Sequence, residues 1–176
     1  MVNEARMKKL TSNDIFNIVW NALRNSSLSN EVPTMYADHF PSSTSNNQLT
    51  GEFIVVAPLS NAVGDIQVAT VNINIYVPDV TPTIDRSEQR YPNRRRLGEL
   101  SALAYEALSI YPSNERYYFD VQSETLFSES ELSYSFVNIK VGFKNYSNFF
   151  RLYKKHMQMT PTEYKKQLSA NDTKQN

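Results

Sequence analysis

Apolar residues recur along this chain with two different periods, and the switches between them mark out its elements. Ile15, Phe16, Ile18, Val19, Ala22 and Leu23 recur at helical spacing behind the N-cap candidates Ser12, Asn13 and Asp14. They predict a helix over 12–24, with Trp20 off the main stripe. Residues 25–51 are polar and broken by Pro33 and Pro41. They read mostly as loop, with a short extended piece at 34–36. "EFIVVAPL" at 52–59 is a compact β-branched run that predicts a buried strand. After the turn "SNAVGD", Val71, Ile73, Ile75 and Val77 alternate with Asn72, Asn74 and Tyr76. That alternation predicts a strand over 65–79 with one apolar face, joined to the preceding strand as a hairpin.

A long polar connection, 79–93, leads to Leu97, Leu100, Ala104, Ala107, Leu108 and Tyr111. Their spacing predicts the main helix, 94–111, stopped by Pro112. "RYYFDVQSETLF" and "SELSYSFVNIKVGF" then alternate as strands. In the second, Leu132, Tyr134 and Phe136 hold one phase while Val137, Ile139 and Val141 hold the other. Either both faces are covered there, or a bulge switches the face. From residue 145, Phe149, Phe150, Leu152 and Tyr153 open a helix, and Thr160, Pro161 and Glu163 carry the start signal of another. The expected architecture is α+β: an antiparallel sheet of about four strands with helices packed on one face, plus a C-terminal helical extension. The body spans 1–144 and the extension 145–176.

The length of 176 residues suits one domain with an appendage, large enough to bury a core without staples. The absence of cysteine excludes disulfides, thiolate metal ligation and thiol catalysis. The first residues carry no apolar run of signal-peptide length. No stretch approaches the roughly 20 apolar residues that span a bilayer. The expectation is a soluble protein made in the cytoplasm, without a membrane partner. The net charge is zero, but residues 144–176 hold seven Lys/Arg against two Asp/Glu, and the rest holds eleven against sixteen. A basic tail on an acidic body suits nucleic acid, or docking on an acidic neighbour. Eleven tyrosines and nine phenylalanines give it a composition common at protein interfaces.

Signs of catalysis are absent. His39 and His156 have no second metal ligand at useful spacing, and four glycines supply no phosphate-cradling loop. Asp120 with Glu124, and Glu129 with Glu131, read as solvated surface acids rather than an acid–base pair. No enzyme activity, metal or cofactor is expected. The main basic cluster is Arg94, Arg95 and Arg96, with Arg86 and Arg90 upstream. These arginines are candidates for contact with DNA phosphate or an acidic partner, or they form a solvated helix start. Three cations at a helix N-terminus oppose the macrodipole, so an anion there relieves a cost.

The C-terminal stretch resembles the second helix-turn-helix of the AraC/XylS family of transcription regulators. The resemblance is carried by Val141, Gly142, Phe143, Ser147, Phe149, Arg151, Tyr153, Lys154 and Lys155, then "MTPTEYKK" at 159–166, and covers 141–167. It implies a DNA-binding regulator. In this chain the residues before the match alternate with strand period, where the family has a supporting helix. The other reading is an amphipathic helical pair that docks Phe149, Phe150 and Tyr153 on the body or on a neighbour. In that case Arg151, Lys154 and Lys155 face solvent or touch phosphate non-specifically.

The body, 12–143, resembles in layout the tail-terminator and tail-completion proteins of tailed bacteriophages. The phrases that carry it are "GEFIVVAPLS", "VATVNINIYVPD", the Arg-led "RRRLGELSALAYEAL" and the closing "YYFDVQSETLFSESELSYSFVNIKVGF". The resemblance implies a virion structural protein, assembled in the host cytoplasm as a ring at the neck–tail junction around the DNA channel. It implies as partners further copies of the chain, neighbouring neck, portal-proximal or tail-tube proteins, and non-specific contact with the genome. The loops at 25–51 and 79–93 are then candidate subunit or neck contacts.

Overall fold

A computed structural model of the chain describes residues 9–41, 51–64, 66–84, 87–110, 117–145 and 147–172. In chain order the elements are α1 (Ser12–Arg24), α2 (Ser27–Glu31), β1 (Met35–Ala37), β2 (Phe53–Val63), β3 (Gln67–Pro78), β4 (Thr83–Ile84), β5 (Ser87–Glu88), α3 (Arg94–Ile110), β6 (Tyr117–Glu129), β7 (Tyr134–Asn145), α4 (Ser147–Met157) and α5 (Pro161–Asp172). The main sheet has five strands in the order β1-β2-β3-β7-β6, and β4 and β5 form a separate small hairpin. Every pair in the main sheet is antiparallel except β1–β2.

The centre of the sheet is β3 against β7, paired without a break from Gln67↔Asn145 to Pro78↔Tyr134. Strand alternation sends Val71, Ile73, Ile75 and Val77 of β3, and Val137, Ile139, Val141 and Phe143 of β7, to the same face. There they meet Ile15, Val19 and Leu23 of α1 and Leu97, Leu100 and Ala104 of α3, all buried in one core. Each of these side chains except that of Ala104 contributes about 1.5–3 kcal/mol of burial. The helices of the body thus cover one face of an α+β sheet, as the apolar periodicity predicts.

β7 carries no bulge, so its two apolar phases mean that both faces hold apolar side chains; the bulges lie in β2, at Pro58/Ser60, and in β6, at Val121/Ser123. The expected four strands become five because Met35–Ala37 pairs in parallel with Ile54–Val56. α2 also falls within the stretch read as loop, anchored by the fully buried Leu28. The polar connection 79–93 folds into the β4–β5 hairpin, closed at its base by the Val80–Tyr91 bridge.

β2 runs on through Pro58 to Val63, beyond the expected end at 59. The backbone explains why proline is tolerated. Ile54 N–H and Val56 C=O face β1, bonding Thr34 and Asp38. By the two-residue repeat the Pro58 nitrogen faces the same side, where β1 has ended and no ladder bond is lost.

Local chemistry fixes the helix ends. α1 spans the expected 12–24, and its N-cap is Thr11, one residue before the sequence candidates, in a reciprocal capping box with Asp14. The buried Gln67 holds this end to the sheet, donating to Leu10 O (2.6 Å) and Asn61 Oδ1 (2.8 Å) and accepting from Leu10 N (3.1 Å). Thr160 and Glu163 form the same reciprocal box at the start of α5. Glu163, at that helix start, is held below the usual carboxylate range by its hydrogen bonds from Thr160.

The N-terminus of α3 is tied down by Arg96. Its Nε and one Nη donate to the two carboxylate oxygens of Glu52 at 2.7 and 2.8 Å, and Glu31 accepts at 3.0 Å. The side chains of Arg96 and Glu52 are only 26% and 22% exposed, so solvent screens this fork less than a surface pair. It joins α3 to the entry of β2 and the end of α2. Arg96→Ala is expected to lower stability by about 2 kcal/mol and the Tm by roughly 4–8 °C, with Arg96→Lys intermediate; thermal and urea unfolding measure both.

Candidate functional site

On the face of the sheet turned away from the helices, register places four aromatic residues side by side. Phe53 lies opposite Tyr76, Tyr76 opposite Phe136, and Phe136 opposite Phe127. Their rings stack in sequence across β2, β3, β7 and β6, with centroids 4.7, 4.5 and 5.1 Å apart and interplanar angles of 12°, 27° and 22°. Phe40 packs edge-on against both Phe53 and Tyr76. Tyr36 meets Phe53 edge-on, and Tyr134 lies tilted on it with its hydroxyl donating to Gly51 O at 2.9 Å. The two inner rings have both faces covered by neighbours, so the row is not a platform for stacking a base or a sugar. Phe127 ends the row on the edge strand and is 46% exposed.

Along the strands from this row the face turns polar. Asn138 donates to Asn74 Oδ1 at 2.6 Å, and the next rung holds Asn72 beside Lys140. The Asn72 side-chain oxygen is buried without a hydrogen-bond partner. Such a group is costly to leave unmet. Burial, and secondarily Glu129, pushes the Tyr76 hydroxyl up to about 12. On the helix side, burial together with the hydrogen bond to Glu124 pushes Tyr105 up to about 12.

The arginines picked out in the sequence do not act as one patch. Arg96 is turned inward to Glu52 and Glu31, which supply from within the chain the anions that its helix start calls for. Arg95 pairs with Glu99 at 3.0 Å on the surface, and Arg94 is exposed. Arg90 donates to Ser133 Oγ at 2.5 Å, fastening the 79–93 connection to the β6–β7 turn. Arg86 lies outside the described residues.

The carboxylates also divide. Asp120 sits 3.9 Å from Lys144 and Glu124 binds Tyr105, while Glu129 and Glu131 are exposed around the β6–β7 turn. Among the described residues no three His, Asp or Glu side chains converge to hold a metal ion, and no helix is long and apolar enough to cross a membrane.

At the C-terminus, α4 and α5 fold against each other, with the rings of Tyr153 and Tyr164 6.3 Å apart. Phe150 is half-buried, and Lys154 and Lys155 are exposed. Phe149 and Arg151 belong to α4, but their side chains lie outside what is described. Val141, Gly142 and Phe143, part of the AraC/XylS-like wording, are buried residues of β7. A strand stands where a helix-turn-helix requires its supporting helix.

The aromatic row was not singled out from the sequence. Phe53, Tyr76 and Phe136 occupy the minority phase of strands whose majority phase is aliphatic, and only cross-strand register aligns them. No protein-family model matches the chain, and no curated protein matches it.

Truncation separates the two ends of the row. Phe53→Ala is expected to cost about 3–5 kcal/mol and Phe127→Ala about 1 kcal/mol or less, measured by urea unfolding. A raised tyrosine pKa means that the folded state favours the neutral ring. That stability is complete below the unfolded value of about 10 and is lost as pH rises through about 12. Tyr76→Phe is therefore expected to flatten the fall in stability between these values, and absorbance at 295 nm to show a tyrosine class titrating near the upper one.

Proposed function

We propose that this chain is a structural virion protein of a tailed bacteriophage. It forms a ring at the junction of neck and tail that joins or terminates the tail around the DNA channel. The observation that carries this reading is the division of the sheet into two unlike faces. One is sealed by α1 and α3, and the other bears an aromatic row ending at a half-exposed ring on the long edge strand β6. An exposed strand edge beside an apolar, partly polar face is a surface for another protein. The element order, α1 before β2 and β3 and then α3 before β6 and β7, agrees with the layout on which the resemblance to the tail-terminator group rests.

In this assembly the body, 1–144, builds the ring, and the extension, 145–176, contacts neighbouring subunits or adjoining neck and tail-tube proteins. The chain acts without chemistry or cofactor. Arg94 and the lysines of α4 are among the exposed cations open to the genome or to an acidic partner.

The second reading is a DNA-binding regulator, favoured by the exposed Lys154 and Lys155 on a capped helix pair. Light scattering at low and moderate salt, with and without duplex DNA, separates the two. The ring reading expects a large closed oligomer whose mass DNA does not change. A monomer or dimer that shifts duplex DNA, and loses the shift on Lys154→Gln/Lys155→Gln, would establish the regulator instead.

A further inference from the structure

Two surfaces of this chain complement each other and are too far apart to meet within one molecule. The first lies at the far end of β6 and in the turn to β7. There Phe127 and Leu132 are 46% and 40% exposed, and Glu129 and Glu131 stand exposed between them. The second is the α4–α5 pair. Met157 and Tyr164 are 43% and 38% exposed, and Lys154, Lys155 and Lys166 are exposed around them. Each surface thus holds two half-exposed apolar side chains among charges mostly of one sign, and the prevailing signs are opposite; the exceptions are held locally, Glu163 by the Thr160 cap and Arg90 by Ser133. The other β6 acids do not belong to the first surface, because Asp120 faces Lys144 and Glu124 binds Tyr105.

Chain geometry decides between a contact within the molecule and one between molecules. Phe127 is level with Phe136, and β7 continues to Asn145 before α4 begins. At about 3.3 Å per residue that separation is about 30 Å. α4 has 11 residues, which is about 16 Å at 1.5 Å per residue. The Tyr153–Tyr164 contact holds the first turn of α5 beside the last turns of α4, so Tyr164, like Met157, reaches no farther than α4 does. The pair therefore stops short of its own Phe127.

We infer that the α4–α5 pair of one copy docks on the Phe127–Leu132 surface of a second copy. Met157 and Tyr164 cover Phe127 and Leu132, and Lys154, Lys155 and Lys166 face Glu129 and Glu131. The inference builds on the ring reading and gives the ring its joint. The two surfaces differ, so the contact is head-to-tail, and head-to-tail contacts close into rings or run on as filaments. The apolar side chains supply the burial, and the charges set direction and partner choice.

The test uses the full chain and two charge reversals, each on exposed side chains and each checked for unchanged circular dichroism. One variant is Glu129→Lys/Glu131→Lys and the other Lys154→Glu/Lys155→Glu. By light scattering and sedimentation, each alone is expected to lose higher oligomers, with association weakened at least about tenfold. In an equimolar mixture the unaltered surfaces complement each other and so do the reversed ones, so the mixture is expected to recover the higher oligomers with the two variants alternating. Both reversals in a single chain are expected to restore the wild-type oligomer. An oligomer that persists unchanged in each single reversal overturns the inference and leaves the ring reading standing. A wild-type chain that is monomeric at every concentration overturns both. Loss of duplex DNA binding in the lysine variant, with assembly intact, assigns α4–α5 to nucleic acid and also overturns the inference.

Discussion

The unbroken pairing of β3 with β7 is the constraint on which the rest of the structure depends. Twelve consecutive residues of each strand are matched, from Gln67 with Asn145 to Pro78 with Tyr134. A slip of β3 by one residue would turn Ile73 and Ile75 away from the helices and send Asn72, Asn74 and Tyr76 into the core. Burying unpaired amides there would cost more than the stability of most domains can absorb. The aliphatic phase therefore locks the register, and the register alone brings Tyr76 and Phe136 together. The aromatic row, the Asn74–Asn138 hydrogen bond and the position of Phe127 at the sheet edge follow from that one alignment.

Polar anchors then fix what lies around the central pair. Gln67 holds the start of α1 on one end of β3, and Arg96 holds the start of α3 against Glu52 and Glu31. Ser135 and Arg90 fasten the connection that leaves the opposite end of β3, through Asp79 and Ser133. These anchors tie the helices to one face of the sheet, while the other face carries the aromatic row and β6 forms the edge.

Much of this was legible in the sequence, and the limits have physical causes. β3, β7, α1 and α3 carry a clear period over a dozen or more residues, so local pattern finds them. β1 and α2 are three and five residues long. That is too short for either period to show, and they exist because tertiary contacts hold them. Arg96 illustrates the limit at the candidate site. Its cluster is visible in "RRRL", but its direction depends on Glu52 and Glu31, distant in sequence and brought near by β2 and α2. The arginine that the sequence offers to a partner is already paired within the chain. Phe127 and Glu129 gain their importance only when β6 is placed at the edge of the sheet.

Hydrogen exchange of the wild-type chain, followed by peptide-resolved mass spectrometry at assembling and at dilute concentration, tests most directly whether the uncovered edge and the helix pair are assembly surfaces. Protection is expected to rise on assembly in residues 121–132 of β6 and its turn and in 147–166 of α4–α5, while β3 and the centre of β7 stay equally slow in both states. Exchange in 121–132 and 147–166 that is unchanged between the two states would contradict the account.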